Sequence, residues 1–256
     1  MIKIRDLCKR FGQKVILDSL SLDVNKGEIL VILGRSGVGK SILLKHIIGI
    51  EKPDSGYVEI DGVNISNLNP PEIYSAIKNM GMLFQGAALF DSMNIEQNTG
   101  FYLNHNKDQT TQKKLSKEEI SQRVKNALEM VGLENDIYKM PSSLSGGMKK
   151  RAGLARLIAY RPQILLYDEP TTGLDPITSQ QINELIVKTQ NELNGTSIIV
   201  THDIHSAWYV ADRIALHRDG KILYIEKPEE FIKIDDPDIA YLKKTLEIYP
   251  RRRQEK

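Results

Sequence analysis

The stretch GRSGVGKS at residues 34–41 constrains this chain more than any other part of its sequence. It fits the pattern G-x-x-x-x-G-K-[ST] without a mismatch. It lies between ILVIL (29–33), a short β-branched apolar run, and ILLKHIIG (42–49), which has the composition of a helix. Because the motif requires this order of strand, loop and helix, the sequence predicts a phosphate-binding loop here.

The residue types of this loop suit a bound polyphosphate. Gly34, Gly37 and Gly39 let the backbone turn sharply, so that successive N–H groups point into one concavity at the positive end of the following helix. Lys40 would reach the β- and γ-phosphates of a nucleotide, and the Ser41 hydroxyl would bind the accompanying Mg²⁺. The alternative is a Gly-rich turn with an unrelated lysine, and the flanking strand and helix argue against it.

Composition sets wide limits on the rest of the molecule. A chain of 256 residues with 41% hydrophobic content can bury one substantial core, with room for an inserted subdomain. Its net charge is +2 with both signs interspersed, so nothing global indicates a nucleic-acid partner. Cys8 is the single cysteine, which excludes an internal disulfide, and we expect a buried, inert thiol.

The sequence gives no sign of export or of a membrane span. The opening residues MIKIRDL lack the basic, apolar and small-residue order of a signal peptide, so we expect no export. No apolar run approaches the ~20 residues that cross a bilayer. We therefore expect any membrane association to be peripheral or through another chain.

Strand signals dominate the first 85 residues and return after residue 160. Asp61-Gly62 and Asp219-Gly220, each between apolar positions, predict two hairpins, and Pro70-Pro71 predicts a helix start. Asp175-Pro176 predicts the N-cap and first turn of another helix, which Gly195 is expected to end.

The middle of the chain has a helical character. Ser116 and Glu119 form a capping box before a helix that carries one apolar stripe, and the polar stretch at 104–117 predicts a solvated loop. We therefore predict an α/β core of residues 1–85 and 161–225, a helical insert at 86–160, and a charged helical tail at 226–256.

Polar side chains follow the apolar strands of this predicted core. GMLFQ (81–85) ends at Gln85, ILLYD (164–168) leads to Asp168 and Glu169, and SIIVT (197–201) leads to His202. Each alone has a structural explanation: a cap, a solvated strand end, or a hydrogen-bonded histidine. Because ligands of parallel sheets bind outside the carboxyl ends of the strands, we predict that these groups serve the nucleotide held by the loop.

Three motifs together resemble the ATP-binding cassette (ABC) family. LSGGM (144–148), followed by a helix, resembles the family's signature sequence, and DEPTTGLD (168–175) resembles its acidic strand end and D-loop. His202 lies where the family has its switch histidine. The resemblance implies an α/β fold: a P-loop NTPase (RecA-like) core with an N-terminal antiparallel β subdomain and an inserted α-helical signature subdomain.

The resemblance also implies a set of functions for the motif residues. ATP and Mg²⁺ would be bound by a head-to-tail homodimer, in which the phosphate loop of one copy faces the signature of the other, and Asp175 would communicate between the two sites. Phe11 would stack on adenine, unless it is a buried aromatic at a strand end. The implied ATP contacts are Phe11, Gly34, Arg35, Ser36, Gly37, Val38, Gly39, Lys40, Ser41, Gln85, Ser145, Gly146 and Gly147; the implied Mg²⁺ ligands are Ser41, Gln85 and Asp168; the implied catalytic residues are Lys40, Glu169 and His202.

A narrower resemblance is to the ATPases of Mla/Mce-type lipid transport. It rests on MLFQGAALFDSMN (82–94), on Met148 where Gln is commoner, on LDPIT (174–178) and on the later IDDPDIAYLKKTL. It implies phospholipid as cargo, a multispanning permease and an Mce-domain protein as partners, and a peripheral place on the cytoplasmic face of the inner membrane.

Several alternatives remain open at this point. The chain could serve another ABC transporter class, act on nucleic acid or the ribosome, or be a P-loop kinase. The apolar residues that follow Gln85 could contact a permease or simply pack inside the insert; they are Ala87, Ala88, Leu89, Phe90 and Met93. Arg251–Arg253 could touch anionic lipid head groups, although a solvated tail is the simpler expectation.

Overall fold

The computed structural model describes residues 2–108 and 111–246, which form two compact units. The first unit contains the residues up to Lys78 and those from Thr196 onward, and the second is Asn79–Gly195. Arg251–Arg253 lie outside the described residues, so the expectation about them stays untested. In the described ranges, every helix is too short or too polar to cross a bilayer.

Strands and helices alternate along most of the chain. The strands are β1 (Ile2–Phe11), β2 (Lys14–Val24), β3 (Ile29–Leu33), β4 (Ser55–Ile60), β5 (Val63–Asn64), β6 (Met80–Leu83), β7 (Ile164–Asp168), β8 (Thr196–Thr201), β9 (Arg213–Arg218) and β10 (Lys221–Glu226). The helices are α1 (Lys40–Ile47), α2 (Pro70–Ile77), α3 (Ile95–His105), α4 (Lys117–Met130), α5 (Gly146–Tyr160), α6 (Pro176–Leu193), α7 (Ile204–Val210), α8 (Pro228–Phe231) and α9 (Pro237–Leu246).

The first unit contains both antiparallel and parallel strand pairing. An antiparallel sheet has the order β2-β1-β4-β5, in which the alternating Leu20, Leu22 and Val24 of β2 are buried. The other strands of this unit form a second group, in which β3 lies between β8 and β9 and is parallel to both. Strand β10 pairs antiparallel with β9 on its outer side. All residues of β3 and β8 are buried, as expected for central strands of a parallel sheet.

The second unit combines one parallel strand pair with helices. Strands β6 and β7 pair in register from Met80 with Ile164 to Leu83 with Tyr167. Helix α5 packs against α3, α4, α6 and β6. Its small buried residues permit this packing, since a Cβ added at Gly153 would lie only 2.5 Å from Leu83 Cδ1.

Local signals predicted most element boundaries correctly. Both Asp-Gly turns are present, with positive φ at Asp61, Gly62, Asp219 and Gly220. Ser116 and Glu119 form the predicted capping box, and Asp175 caps α6 with Pro176 in the first turn. The predicted helical insert at 86–160 lies within the second unit, which also contains β6, β7 and α6; the domain boundaries themselves stay a prediction.

Four details differ from the sequence expectations. Helix α1 covers Lys40–Ile47 rather than 42–49, because Gly39 already provides the N-cap. Asn194, not Gly195, ends α6 in a left-handed conformation. The predicted loop at 104–117 begins inside α3, and its Asp108 is buried against Arg123 at 2.6 Å. Cys8 is half-buried rather than buried, and its sulfur accepts a hydrogen bond from the Ser19 N–H.

Two histidines of the first unit are buried, at 1% exposure each. In His46 the Nδ1 atom bonds the Ile42 carbonyl at 2.7 Å, and burial lowers the pKa of the imidazole. His217 has no hydrogen-bond partner for either ring nitrogen among the described residues. Burial, reinforced by the charge of Lys40, lowers the pKa of His217 to about 4, so the ring is neutral at pH 7.

The low pKa of His217 makes the stability of the protein depend on pH. The unfolded state, with a histidine pKa of about 6.5, takes up protons before the folded state does, so stability is complete above that value and is lost as pH falls toward 4. At pH 5 we expect His217 to contribute a loss of about 2 kcal/mol. The measurement is the free energy of unfolding in urea between pH 7.5 and 5.

A His217→Gln variant should show a weaker pH dependence than the wild type, and the exposed His105 offers a matched control as His105→Gln. Equal pH dependence in the wild type and His217→Gln would contradict this account of the buried ring.

Candidate functional site

The phosphate loop folds as the glycine pattern predicts. Gly37 and Gly39 have φ values of 81° and 106°, a left-handed region that favours glycine. Gly39 is the N-cap of α1, and its carbonyl accepts the first helical hydrogen bond from the Leu43 N–H at 3.0 Å. The loop thus leads directly into the open N-terminus of a helix, where an anion is favoured.

Close packing explains two of these glycines beyond their dihedral angles. A Cβ at Gly34 would overlap the carbonyl oxygen of His217 on β9. A Cβ at Gly39 would lie 2.7 Å from Ile16 Cγ2 on β2. The first unit therefore holds the loop between two strands with no room for a larger side chain.

Lys40 is positioned inside the loop. It is 5% exposed, and its Nζ atom donates to the carbonyls of Gly34 at 2.7 Å and Arg35 at 2.9 Å. The loop therefore wraps around its own ammonium group, which places a cation in the concavity. Ser41, half-buried, begins the first turn of α1 beside it.

His202 follows the strand next to the loop. Leu33 of β3 pairs with Thr201 of β8, and the Gly34 N–H bonds the Thr201 carbonyl at 3.2 Å. The parallel register therefore places His202, which is exposed, at the same end of the sheet as the loop. This neighbourhood agrees with the sequence prediction, while the contact of His202 with a phosphate stays a prediction.

A cleft of about 820 Å³ lies beside the loop in the first unit. Ser36, His202 and His217 line one part of it, and Asp238 and Tyr241 of α9 line another. An ion pair of 2.8 Å joins Arg35 to Asp238. Sequence reasoning missed this contact because nothing local pairs residues that are 203 positions apart.

Phe11, the predicted adenine contact, is at the end of β1 and 48% exposed. The alternative of a buried aromatic is therefore wrong. The Lys9 ammonium lies 5.4 Å from the centroid of the ring. An exposed aromatic face suits stacking on a base, although the structure does not test that role.

The second unit holds the acidic residues. Asp168 ends β7 and Glu169 follows it, at 7% and 8% exposure. Leu83 of β6 pairs with Tyr167 of β7, and the two strands are parallel. The exposed Gln85 after β6 and the two acids at the end of β7 therefore lie at the same carboxyl end of the strand pair. The predicted site residues thus form two groups, the loop with His202 in the first unit and Gln85 with the two acids in the second.

Glu169 is fixed by neighbours on both its side chain and its backbone. The Thr172 hydroxyl donates to Glu169 Oε2 at 2.8 Å. The ammonium of Lys150, on α5, donates to the Glu169 carbonyl at 3.1 Å. Burial lowers the pKa of Lys150, and the charges of Asp168 and Glu169 oppose that effect. Sequence reasoning missed Lys150, although its spacing from Gly147 and Leu154 predicts the buried face of α5.

The signature residues open helix α5. The Ser145 side chain caps the helix by accepting from the Met148 N–H at 3.2 Å, and both Ser145 and Gly146 are exposed. Gly147 is buried, since a Cβ there would lie 2.6 Å from Thr178 Cγ2 at the start of α6. Helix α5 therefore begins at two exposed residues, while Asp175 caps α6 through Thr178.

The segment at 87–93 supports parts of both earlier interpretations. Ala87 is buried beneath α5, and Arg156 donates to the carbonyls of Ala87 and Ala88. Phe90 is 41% exposed and packs against Phe101, with 4.5 Å between the ring centroids and an angle of 46° between the rings. The segment is thus anchored at its start and exposes the aromatic side chain of Phe90 near its middle.

The predicted Mg²⁺ ligands fit that ion in their chemistry. A hydroxyl, an amide oxygen and a carboxylate are the hard oxygen donors that Mg²⁺ prefers, and Mg²⁺ usually keeps several waters and phosphate oxygens. In residues 2–108 and 111–246, no group of three His, Cys, Asp or Glu side chains could form a closed metal site.

Comparison with known proteins identifies the family. A family model described as ABC transporter matches residues 17–172. The "probable ribonucleotide transport ATP-binding protein mkl" of Mycobacterium leprae is 39% identical over 92% of this chain and 66% of its own length. The intermembrane phospholipid transport ATP-binding protein MlaF of Haemophilus influenzae is 39% identical over 92% of this chain and 87% of its own. The methionine import protein MetN of Clostridium tetani is 38% identical over 96% and 74%.

The chain thus spans slightly less than two thirds of the mkl protein's length.

Solved structures agree with the fold. The dimeric cassette MJ0796 in a post-hydrolysis state with ADP and phosphate has a TM-score of 0.79 and 32% identity, covering 89% of this chain and 99% of that one. The protein cbiO1 of Clostridium perfringens has a TM-score of 0.81 and 31% identity, covering 96% and 95%. These matches confirm the predicted P-loop NTPase fold class. The chain belongs to the ABC transporter family and is an ATPase cassette of that family.

Proposed function

We propose that this chain is the ATP-hydrolysing subunit of a transporter that moves phospholipid through a separate permease. Family membership supports the ATPase, and one observation supports the assignment of its chemistry: a buried Glu169 follows the acidic end of β7 with its carboxylate held by Thr172.

The phosphate loop binds the triphosphate in this proposal. The N–H groups of Gly34–Ser41 and the positive end of α1 receive the phosphate oxygens. Lys40 exchanges its two carbonyl partners for the β- and γ-phosphates and neutralises their charge. Phe11 stacks on the adenine and so fixes the position of the base, at the end of the nucleotide opposite the phosphates.

Hydrolysis needs positioning and neutralisation more than covalent chemistry. Ser41, Gln85 and Asp168 would hold Mg²⁺, which neutralises charge on the phosphates. Glu169 accepts a hydrogen bond from the attacking water and takes its proton, while His202 donates to the γ-phosphate. A preorganised carboxylate contributes because its orientation costs nothing during the reaction.

The signature supplies the second half of the site in a homodimer. Ser145, Gly146 and Gly147 of one copy bind the γ-phosphate held by the loop of the other copy, with Ser145 as a hydroxyl donor. The exposed α5 N-terminus supports this role, and the similar cassette MJ0796 was solved as a dimer. ATP then closes the dimer, and its hydrolysis reopens it.

Phospholipid is proposed as the cargo because of the similarity to MlaF over most of both chains. The implied partners are a multispanning permease and an Mce-domain lipid-binding protein, at the cytoplasmic face of the inner membrane. The similarity to MetN gives a second candidate, methionine import. The charge balance of +2 gives no support to a nucleic-acid partner.

Replacing the proposed base tests the chemistry. We expect Glu169→Gln to lower kcat by about 100-fold or more, because an amide cannot take the proton. The variant should still bind ATP and should elute as a dimer in its presence. Phosphate release and size-exclusion chromatography measure the two effects.

Glu134→Gln, a change at an exposed acid of the same unit, is the matched control and should keep wild-type turnover. Normal turnover in Glu169→Gln would remove this residue from the proposed role.

The cargo is tested with the purified complex of the chain and its permease in lipid nanodiscs. If phospholipid is the cargo, ATP turnover should rise when phosphatidylethanolamine and phosphatidylglycerol replace a non-phospholipid detergent, and methionine should have no effect. Stimulation by methionine alone would instead support the import function.

A further inference from the structure

Lys150 is a buried cation that the proposed chemistry has not used. It lies on α5, five residues after the signature Ser145, and is 5% exposed. Its Nζ atom donates to the Glu169 carbonyl at 3.1 Å, and its charge interacts with those of Asp168 and Glu169. All these residues belong to the second unit.

Burial of this ammonium needs an explanation, since an unpaired charge inside a protein costs several kcal/mol. The two acids that follow β7 supply the opposite charge, and the carbonyl supplies a hydrogen bond. Lys149, next to it on the same helix, is half-buried and lacks this contact with Glu169. The environment of Lys150 is therefore specific to the end of β7.

The backbone conformation of Glu169 gives a second reason to assign a role to Lys150. Its φ of 48° lies in the left-handed region, which is strained for a residue other than glycine. The Glu169 carbonyl accepts from both Lys150 Nζ and the Thr172 N–H at 3.3 Å. These two donors hold the peptide in that conformation, and the conformation sets the direction of the Glu169 side chain.

We propose that Lys150 is a positioning residue that fixes Glu169 for hydrolysis and ties it to the signature end of α5. The proposal rests on the proposed function of Glu169. Helix α5 begins at Gly146, so Lys150 lies about one turn from the helix end that binds the partner copy's ATP. A shift of that helix end moves the donor on which the Glu169 backbone depends.

This link joins the two nucleotide sites of the dimer through a single chain. The signature of a chain contacts the nucleotide on the loop of the other copy, whereas its Glu169 acts on the nucleotide of its own loop. Lys150 thus makes the orientation of the base at one site depend on occupancy of the other site.

Three substitutions separate the contributions of Lys150. Lys150→Met removes the charge and the donor, Lys150→Gln keeps a donor without charge, and Lys150→Arg keeps both. We expect Lys150→Met to lower kcat by roughly tenfold or more, as for loss of a buried hydrogen bond to a charged group. The KM for ATP and the affinity for a non-hydrolysable ATP analogue should change less than twofold.

Rescue and control variants distinguish positioning from general stability. Lys150→Arg should recover most of the lost kcat, and Lys149→Met should keep wild-type kinetics. If Lys150→Met fails to fold, the same comparison is made with Lys150→Gln, which should lie between Lys150→Met and wild type in kcat. A loss of melting temperature with unchanged kcat in every folded variant would overturn the proposal.

A double-mutant cycle shows whether Lys150 acts through Glu169. In the Glu169→Gln background, adding Lys150→Met should leave the residual kcat unchanged. If the second substitution lowers kcat by the same factor as in the wild type, Lys150 acts independently of Glu169 and the proposal is wrong. Normal turnover in the Glu169→Gln variant alone would show that Glu169 is not the base. That result would contradict the proposed function, not the dependence of Glu169 on Lys150.

Discussion

The structure depends on a cluster of backbone N–H groups at the start of α1 with a buried lysine inside it. A buried ammonium needs compensating acceptors, and Lys40 has them in the carbonyls of Gly34 and Arg35. The loop can wrap this closely only because glycines adopt its dihedral angles and leave room for β2 and β9. Its concavity offers donors and positive charge, so the ligand must bring negative charge and many acceptors.

The second unit also contains buried charges that need compensation, but these charges are negative. Asp168 and Glu169 are buried carboxylates, and such groups need nearby donors or cations. The Thr172 hydroxyl donates to the Glu169 carboxylate, and the ammonium of Lys150 supplies a nearby positive charge. Since Lys150 lies on the helix that begins at the signature, it connects the acid proposed as the base, Glu169, to the helix that is proposed to bind phosphate at its N-terminus.

Contiguous motifs could be interpreted from sequence because each is a complete local structure. The phosphate loop, both Asp-Gly turns and the caps of α4 and α6 all fold as their residue types dictate. The sequence did not predict the environments of three residues, Lys150, His217 and Asp238. Their partners are 19 residues or more away, or are buried surfaces that only tertiary packing creates. The exposure of Phe11 likewise depends on the end of β1 and not on its neighbours in sequence.

Among the described residues, the helix N-termini of α1 and α5 are both suited to phosphate, whereas the sequence contains one phosphate-loop motif. The central claim is that the two ends serve one ATP from different copies. Its most direct test uses two variants that both carry Cys8→Ser and Glu169→Gln. One also carries Ser36→Cys and the other Ser145→Cys, and the two are mixed with a bifunctional maleimide. The account predicts a covalent heterodimer that forms only with ATP and Mg²⁺. No covalent dimer with ATP, although a monofunctional maleimide labels both cysteines, would contradict it.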